Sequence, residues 1–220
     1  MQSITATVKI YRNTATVTAL GLALQLEGGG FSILNAIAFG NVATALNALP
    51  AGAVIRAQVD FTTSKREVEI SKEVQVKKGS KTVTQTVLEK KMVDVPGLKI
   101  IRFDRLDIAT QEVLSSKGTA VVVPAVLSAP MVVSGRLGAD SRFDEKSQKS
   151  FMRLAINDRY LDRTSGEWVS KTTWVNVVVS GQHNVTKGQL VQVVAQPSLY
   201  DGRLELIASH LTATSVIASA

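Results

Sequence analysis

"TTWVNVVVSG" (residues 172–181) decides the fold class, because two sets of side chains alternate through it. In an extended strand Val175, Val177 and Val179 fall on one face, and Trp174, Asn176, Val178 and Ser180 on the other. A period of two with β-branched residues marks a strand half buried on a core. The valine row is the core side, which leaves Trp174 and Asn176 on the outer face of a sheet. Similar alternation recurs in "ITATVKIY" (4–11), "AVIRAQVDF" (53–61), "EVEISKEVQV" (67–76) and "QLVQVVAQ" (189–196). The best helical candidate is "NVATALNAL" (41–49), with Val42, Ala45, Leu46 and Leu49 at helical spacing before "PAG". The expected class is mainly β with short helices.

Outward from this stretch, the chain repeats itself. "LNAIAFG" (34–40) matches "VNVVVSG" (175–181), and each is followed by a second glycine and an apolar strand, Gly52 with "AVIRAQV" and Gly188 with "QLVQVVAQ". Eleven residues separate the glycines in the first copy and six in the second, which predicts a helix cut to about one turn in the second. A unit occurring twice implies two related β domains. The expected boundaries are 1–117 and 131–220, joined by the apolar stretch 118–130, which we expect to pack between the domains.

The first copy carries an insertion at 64–93, where two alternating runs flank "KKGSK", a hairpin signature. Between 65 and 91 it holds eight Lys/Arg against four Glu, a surplus of more than half the net charge of +7. A basic tip containing Lys77, Lys78 and Lys81 could grip a phosphate backbone. The same lysines could equally keep a solvated hairpin soluble and its edges unpaired.

Net charge and a pI of about 9.7 favour polyanionic partners. The chain lacks cysteine and has only His183 and His210, so no zinc constellation can be assembled. "EGGGF" (27–31) lacks the Lys-Ser/Thr of a P-loop. Asp158 with Asp162, and Asp104 with Asp107, read as surface charges, and no nucleophile–base spacing stands out. We expect no enzyme, no cofactor, no small-molecule substrate and no membrane span. The N-terminus has no export signal pattern, so a cytoplasmic address is expected.

Four segments, in order, carry a resemblance: "VVSGRLGADSRF" (132–143), "LAINDRYLDRTSGEWVSKTTWVNVVVSG" (154–181), "TKGQLVQVVAQPSLYDGR" (186–203) and "LELIASHL" (204–211). Together they resemble the bacterial-type single-stranded DNA-binding protein family over about 80 residues, through patterns of the form G-x-L-G-x-D, T-x-W and K-G-x-x-V. The resemblance implies OB-folds, five-stranded Greek-key barrels that bind nucleic acid across one face. The expected architecture is then two OB domains in tandem, the first with the long basic hairpin.

Position by position, the resemblance implies that Tyr160, Trp174 and Tyr200 are stacking rings. Arg153, Arg159, Arg163, Lys171 and Arg203 would neutralise phosphates, and Asn176 stands beside Trp174. Ser180 occupies the family's phenylalanine slot, so one platform is missing. Trp168 matches no motif and reads as a turn residue. In the first copy Phe39 keeps that phenylalanine slot, but Ile33 replaces the tryptophan. Phe31, Ile33, Asn35, Ile37 and Phe39 share the corresponding face, an apolar stripe that suits protein packing better than nucleic acid. The closing "TATSVIASA" (212–220) is not the acidic, Phe-tipped tail through which such proteins recruit partners; if this is the protein's natural end, it would coat DNA without that dock.

The expected function is largely sequence-independent binding of single-stranded DNA, with RNA possible, in replication, recombination and repair. The family commonly assembles four barrels, so a homodimer is expected. The alternative is an OB-derived assembly module that binds protein chiefly and nucleic acid weakly.

Overall fold

The computed structural model describes residues 2–14, 16–78, 81–115, 118–162, 164–200 and 203–214. It is built almost wholly of strands. In chain order these are β1 (Gln2–Asn13), β2 (Val17–Gln25), β3 (Phe31–Phe39), β4 (Val54–Lys78), β5 (Lys81–Leu106), β6 (Thr110–Leu114) and β7 (Ala120–Pro124). There follow β8 (Met131–Leu137), β9 (Arg142–Asp144), β10 (Lys149–Leu161), β11 (Trp168–Ser180), β12 (Leu190–Tyr200) and β13 (Arg203–Thr214). One α-helix, α1 (Gly40–Asn47), lies between β3 and β4.

The first five strands close into a barrel in the order β1-β2-β3-β5-β4, with β4 returning to β1 and β3 running parallel to β5. In the second half, β8 pairs with β10, β10 with β11, β11 in parallel with β13, β13 with β12, and β12 again with β8. That ring has the same order of first, second, third, fifth and fourth strand. The short β9 adds to the edge of β10.

Alternation placed the cores correctly. Leu34, Ala36 and Ala38 are buried on β3, and Val175, Val177 and Val179 on β11. Val178 differs from expectation. It has outer-face parity yet is buried, because its cross-strand partners Phe151 and Ile207 flank it on both sides. The repeat's glycines are matched in conformation as well as position. Gly40 and Gly181 have φ of +53° and +86°, and Gly52 and Gly188 have +75° and +84°. Each pair turns the chain where a side chain would be strained.

Helix α1 forms where the sequence places it, but it buries Ala43 and Leu46, while Ala45 is exposed. Thr18 Oγ1 on β2 meets Asn47 Oδ1 at 2.9 Å and fixes the helix's last turn. The one-turn helix expected in the second copy does not form. Residues 181–189 are irregular, and Val185 is buried among the core residues instead. Side-chain oxygens hold this segment. Ser150 Oγ donates to Gly181 O at 2.8 Å and accepts the His183 N–H at 2.9 Å, while Ser141 Oγ accepts the Val185 N–H at 3.0 Å. Six residues between glycines are too few for a capped helix, so hydroxyls satisfy the backbone instead.

The stretch 118–130 also departs from expectation. Its first half is β7, which pairs with β6 and packs on β1 and β2 through the fully buried Val123. Its partner is thus the first ring. Thr7 Oγ1 donates to Val122 O at 2.5 Å, and Ser128 Oγ accepts the Thr5 N–H at 3.3 Å. Beyond it, Gln2 makes a two-way amide contact with Val132, donating to its carbonyl at 2.5 Å and accepting its N–H at 3.0 Å.

By contacts, Met1–Thr62 with Pro96–Ala220 forms one compact unit and Thr63–Val95 a second. The second unit consists of the outer lengths of β4 and β5. None of its described side chains is buried. Ion pairs Lys90–Glu67 at 2.9 Å and Lys72–Glu89 at 3.7 Å link its strands, and being solvent-exposed they add little stability. The expected turn at Gly79–Ser80, and the side chains of Lys77, Lys78 and Lys81, lie outside the described residues.

Candidate nucleic-acid interface

Strands β10 and β11 form a long antiparallel ribbon, paired from Lys149↔Ser180 to Leu161↔Trp168. A tight loop closes it: Asp162 N–H donates to Glu167 O, and Gly166 N–H to Asp162 O, each at 2.8 Å. Because successive side chains alternate sides, the register assigns every residue to a face. Phe151, Arg153, Ala155, Asn157, Arg159 and Leu161 of β10 share the outer face with Trp168, Trp174 and Asn176 of β11.

Tyr160 pairs with Val169 and Asp158 with Lys171, so Tyr160 and Lys171 lie on the opposite face of the ribbon. Of the two expected platforms on this ribbon, only Trp174 is on the outer face. Trp168, read from sequence as a turn residue, is instead the first residue of β11 and shares the Trp174 side. It is 64% exposed, against 39% for Trp174 and 46% for Tyr160. The signal that could have found it was present: six residues from Trp174 is an even spacing, about 20 Å along a strand.

Trp174 is held in place. Its ring lies over Gly138, where any Cβ would collide with it, and the Arg153 guanidinium stands 5.3 Å from the ring centroid. Cation–π contact of this kind favours a flat, partly desolvated ring beside a fixed positive charge. Arg142 stands at the same 5.3 Å over Phe151. Sequence reading missed this pair, because Phe151 reads as an ordinary alternating strand residue.

The β12–β13 hairpin adds to the same face. Tyr200, 73% exposed, pairs with Arg203, Ser198 pairs with Glu205, and Glu205 in turn pairs with Asn176. Exposed Arg153, Arg159 and Arg203 thus share a face with Trp174, Asn176 and Tyr200. Arg163 lies outside the described residues. Partial burial raises the Glu205 carboxyl above its ordinary value, against the opposing pull of Lys149. In the first ring the outer row of β3 holds half-buried Phe31, Ile33 and Ile37, and Phe39 at its end is 46% exposed.

Among the described residues no group of three or more His, Cys, Asp or Glu is placed to hold a metal ion, and no helix is long and apolar enough to cross a membrane.

No protein-family model and no curated protein sequence matches the chain. Solved structures do. The crystal structure of wild-type single-stranded DNA binding protein from Thermus aquaticus aligns over 98% of this chain and 93% of its own, with a TM-score of 0.52 and 13% identity. A deletion mutant of that protein aligns at TM-score 0.49 and 12% identity, over 98% and 95% of the two chains. A Plasmodium falciparum SSB complex with ssDNA aligns over 40% of this chain and 95% of its own, with TM-score 0.30 and 23% identity. The near full-length match to the wild-type protein shows a shared fold. The resemblance carried by the four motifs therefore extends to the architecture: this is a chain of the SSB-type OB fold.

Proposed function

We propose that the protein binds single-stranded DNA non-enzymatically, with bases stacked on the outer face of β10–β13 and phosphates held by arginines. One observation carries the reading: Trp174, locked over Gly138 beside Arg153, shares its face with Trp168, Asn176, Tyr200, Arg159 and Arg203. Exposed rings interleaved with cations are what sequence-tolerant single-strand binding uses, each stacked base contributing about 1–3 kcal/mol. Tyr160 and Lys171 would serve a strand crossing to the far side of the ribbon.

We read the chain as two OB domains in tandem, at 1–117 and 131–220, joined through 118–130, with hairpin 64–93 inserted into the first. The identical ring order and the matched positive-φ glycines support this. The first domain would add charge through Lys77, Lys78 and Lys81 and one ring through Phe39. A homodimer with four barrels, acting in replication, recombination or repair in the cytoplasm, is the corresponding biological reading, with RNA as a second ligand. The half-buried apolar row of β3 favours a parallel role for the first domain in assembly with protein.

Oligo-dT should quench the tryptophan fluorescence, with affinity falling steeply as salt rises, because bound cations release counterions from the phosphates. Neither quenching nor a mobility shift at low salt would sink the reading.

A further inference from the structure

A cavity of about 290 Å³ lies on the outer face of the second ring. Arg153 of β10, Asn176 of β11 and Glu205 of β13 form one cross-strand row beneath it, since Arg153 pairs with Asn176 and Asn176 with Glu205. Phe151 stands two residues along β10 on the same pleat face, with the Arg142 guanidinium over its ring. Asp140 completes the wall, its Oδ1 accepting the Lys187 N–H at 2.7 Å.

The position of Phe151 matters. It pairs with Val178, while its neighbour Lys149 pairs with Ser180, so the ring lies diagonal to Ser180. Diagonal cross-strand neighbours are within reach of aromatic side chains. An aromatic ring thus stands beside Ser180 on the adjacent strand. Along β11, Val178 is four residues from Trp174, placing the two rings about 13 Å apart in the strand direction.

We propose that this cavity is a nucleobase pocket in which Phe151 is the stacking ring, Asn176 and Glu205 face the base edge, and Arg142 and Arg153 take the flanking phosphates. The pocket rests on the single-strand reading above and extends it. A carboxylate in the middle of a basic surface repels phosphate and accepts hydrogen bonds from base N–H groups. Glu205 thus sorts the ligand, directing the sugar–phosphate chain to Arg142 and Arg153 and the base to its own carboxylate and Asn176. Its raised carboxyl value fits a group partly withdrawn from water at the cavity floor.

The test compares oligo-dT with an abasic deoxyribose–phosphate chain of equal length, by anisotropy at low salt. Phe151→Leu should weaken oligo-dT binding about tenfold, within the range of one stacked base, and leave the abasic chain unchanged. Phe151→Tyr, which keeps a ring, should retain oligo-dT affinity. Unchanged oligo-dT binding by Phe151→Leu, or an equal loss for both ligands, overturns the pocket while leaving Trp174 as a platform. If the wild-type protein binds neither ligand, the single-strand reading itself has failed, and the pocket with it.

Discussion

The two rings share a strand order but differ at the same two places. Between third and fourth strands, the first ring has α1, which packs Ala43 and Leu46 against the core. The second has an irregular loop that buries Val185 and satisfies its backbone through Ser141 and Ser150. On the outer face of the third strand, the first ring carries Ile33 and Phe39, and the second carries Trp174 and Ser180. The scaffold therefore tolerates two solutions for its end, and its display face can be apolar or aromatic and basic. Ring closure depends on the inward row and the glycine turns, and those are what the two halves keep in common.

The largest contrast should come from the closing segments. Leu46→Ala should cost about 2–5 kcal/mol of stability, because a fully buried leucine leaves a cavity. Val185→Ala removes less apolar volume and should cost about 1.5 kcal/mol. Urea unfolding of the two variants measures both, and equal losses would mean that loop and helix carry the same share of the packing.

The display faces separate next. Trp174→Ala should reduce single-strand affinity by about 1–3 kcal/mol, as loss of one stacked base requires. Ile33→Ala at the matching place in the first ring should change it little. A reversed order in oligo-dT titrations would point to the β3 row of the first ring as the place of binding and count against the outer face of β10–β13.

The smallest effect concerns Glu205, whose carboxyl is raised by burial. A raised acid favours the folded state fully below its unfolded pKa, and that stability is lost as pH rises through the folded value. Thermal unfolding between the ordinary glutamate value of 4.5 and neutrality should show this loss in the wild type. Glu205→Gln should flatten it, although Lys149 pulls the other way and Arg153 stands in the adjoining row. In the first ring the matching place on β5, opposite Asn35, is held by Gly97, so the substitution has no parallel there.

Much of this was legible in residues 172–181 and their cousin at 34–40. Period-two alternation gave the core rows of β3 and β11 because burial on one side of a strand selects every second residue. Gly40, Gly52, Gly181 and Gly188 marked the turns because positive φ strains other residues. The faces of the β10–β11 ribbon were only half legible. Even spacing ties Trp168 to Trp174, but only the pairing up to Leu161↔Trp168, closed by Asp162, Gly166 and Glu167, shows that both strands run to the loop and which residues meet across them. Trp168 thereby stands on the Trp174 side of the ribbon and Tyr160 on the opposite one. Val178 looked outward in the strand but was covered by Phe151 and Ile207, which are remote in sequence.

The sequence by itself determined which residues turn inward, where the chain must turn, and that both tryptophans stand among charged residues between 157 and 179. These are local properties, set by side-chain shape and by backbone conformations near each residue. The tertiary structure alone decided which strands pair, in what register, and so which rings and charges meet. Phe151 beside Ser180, Glu205 beside Asn176 and Trp174 over Gly138 all arise from hydrogen-bonded closure between distant segments, which no single stretch of chain encodes.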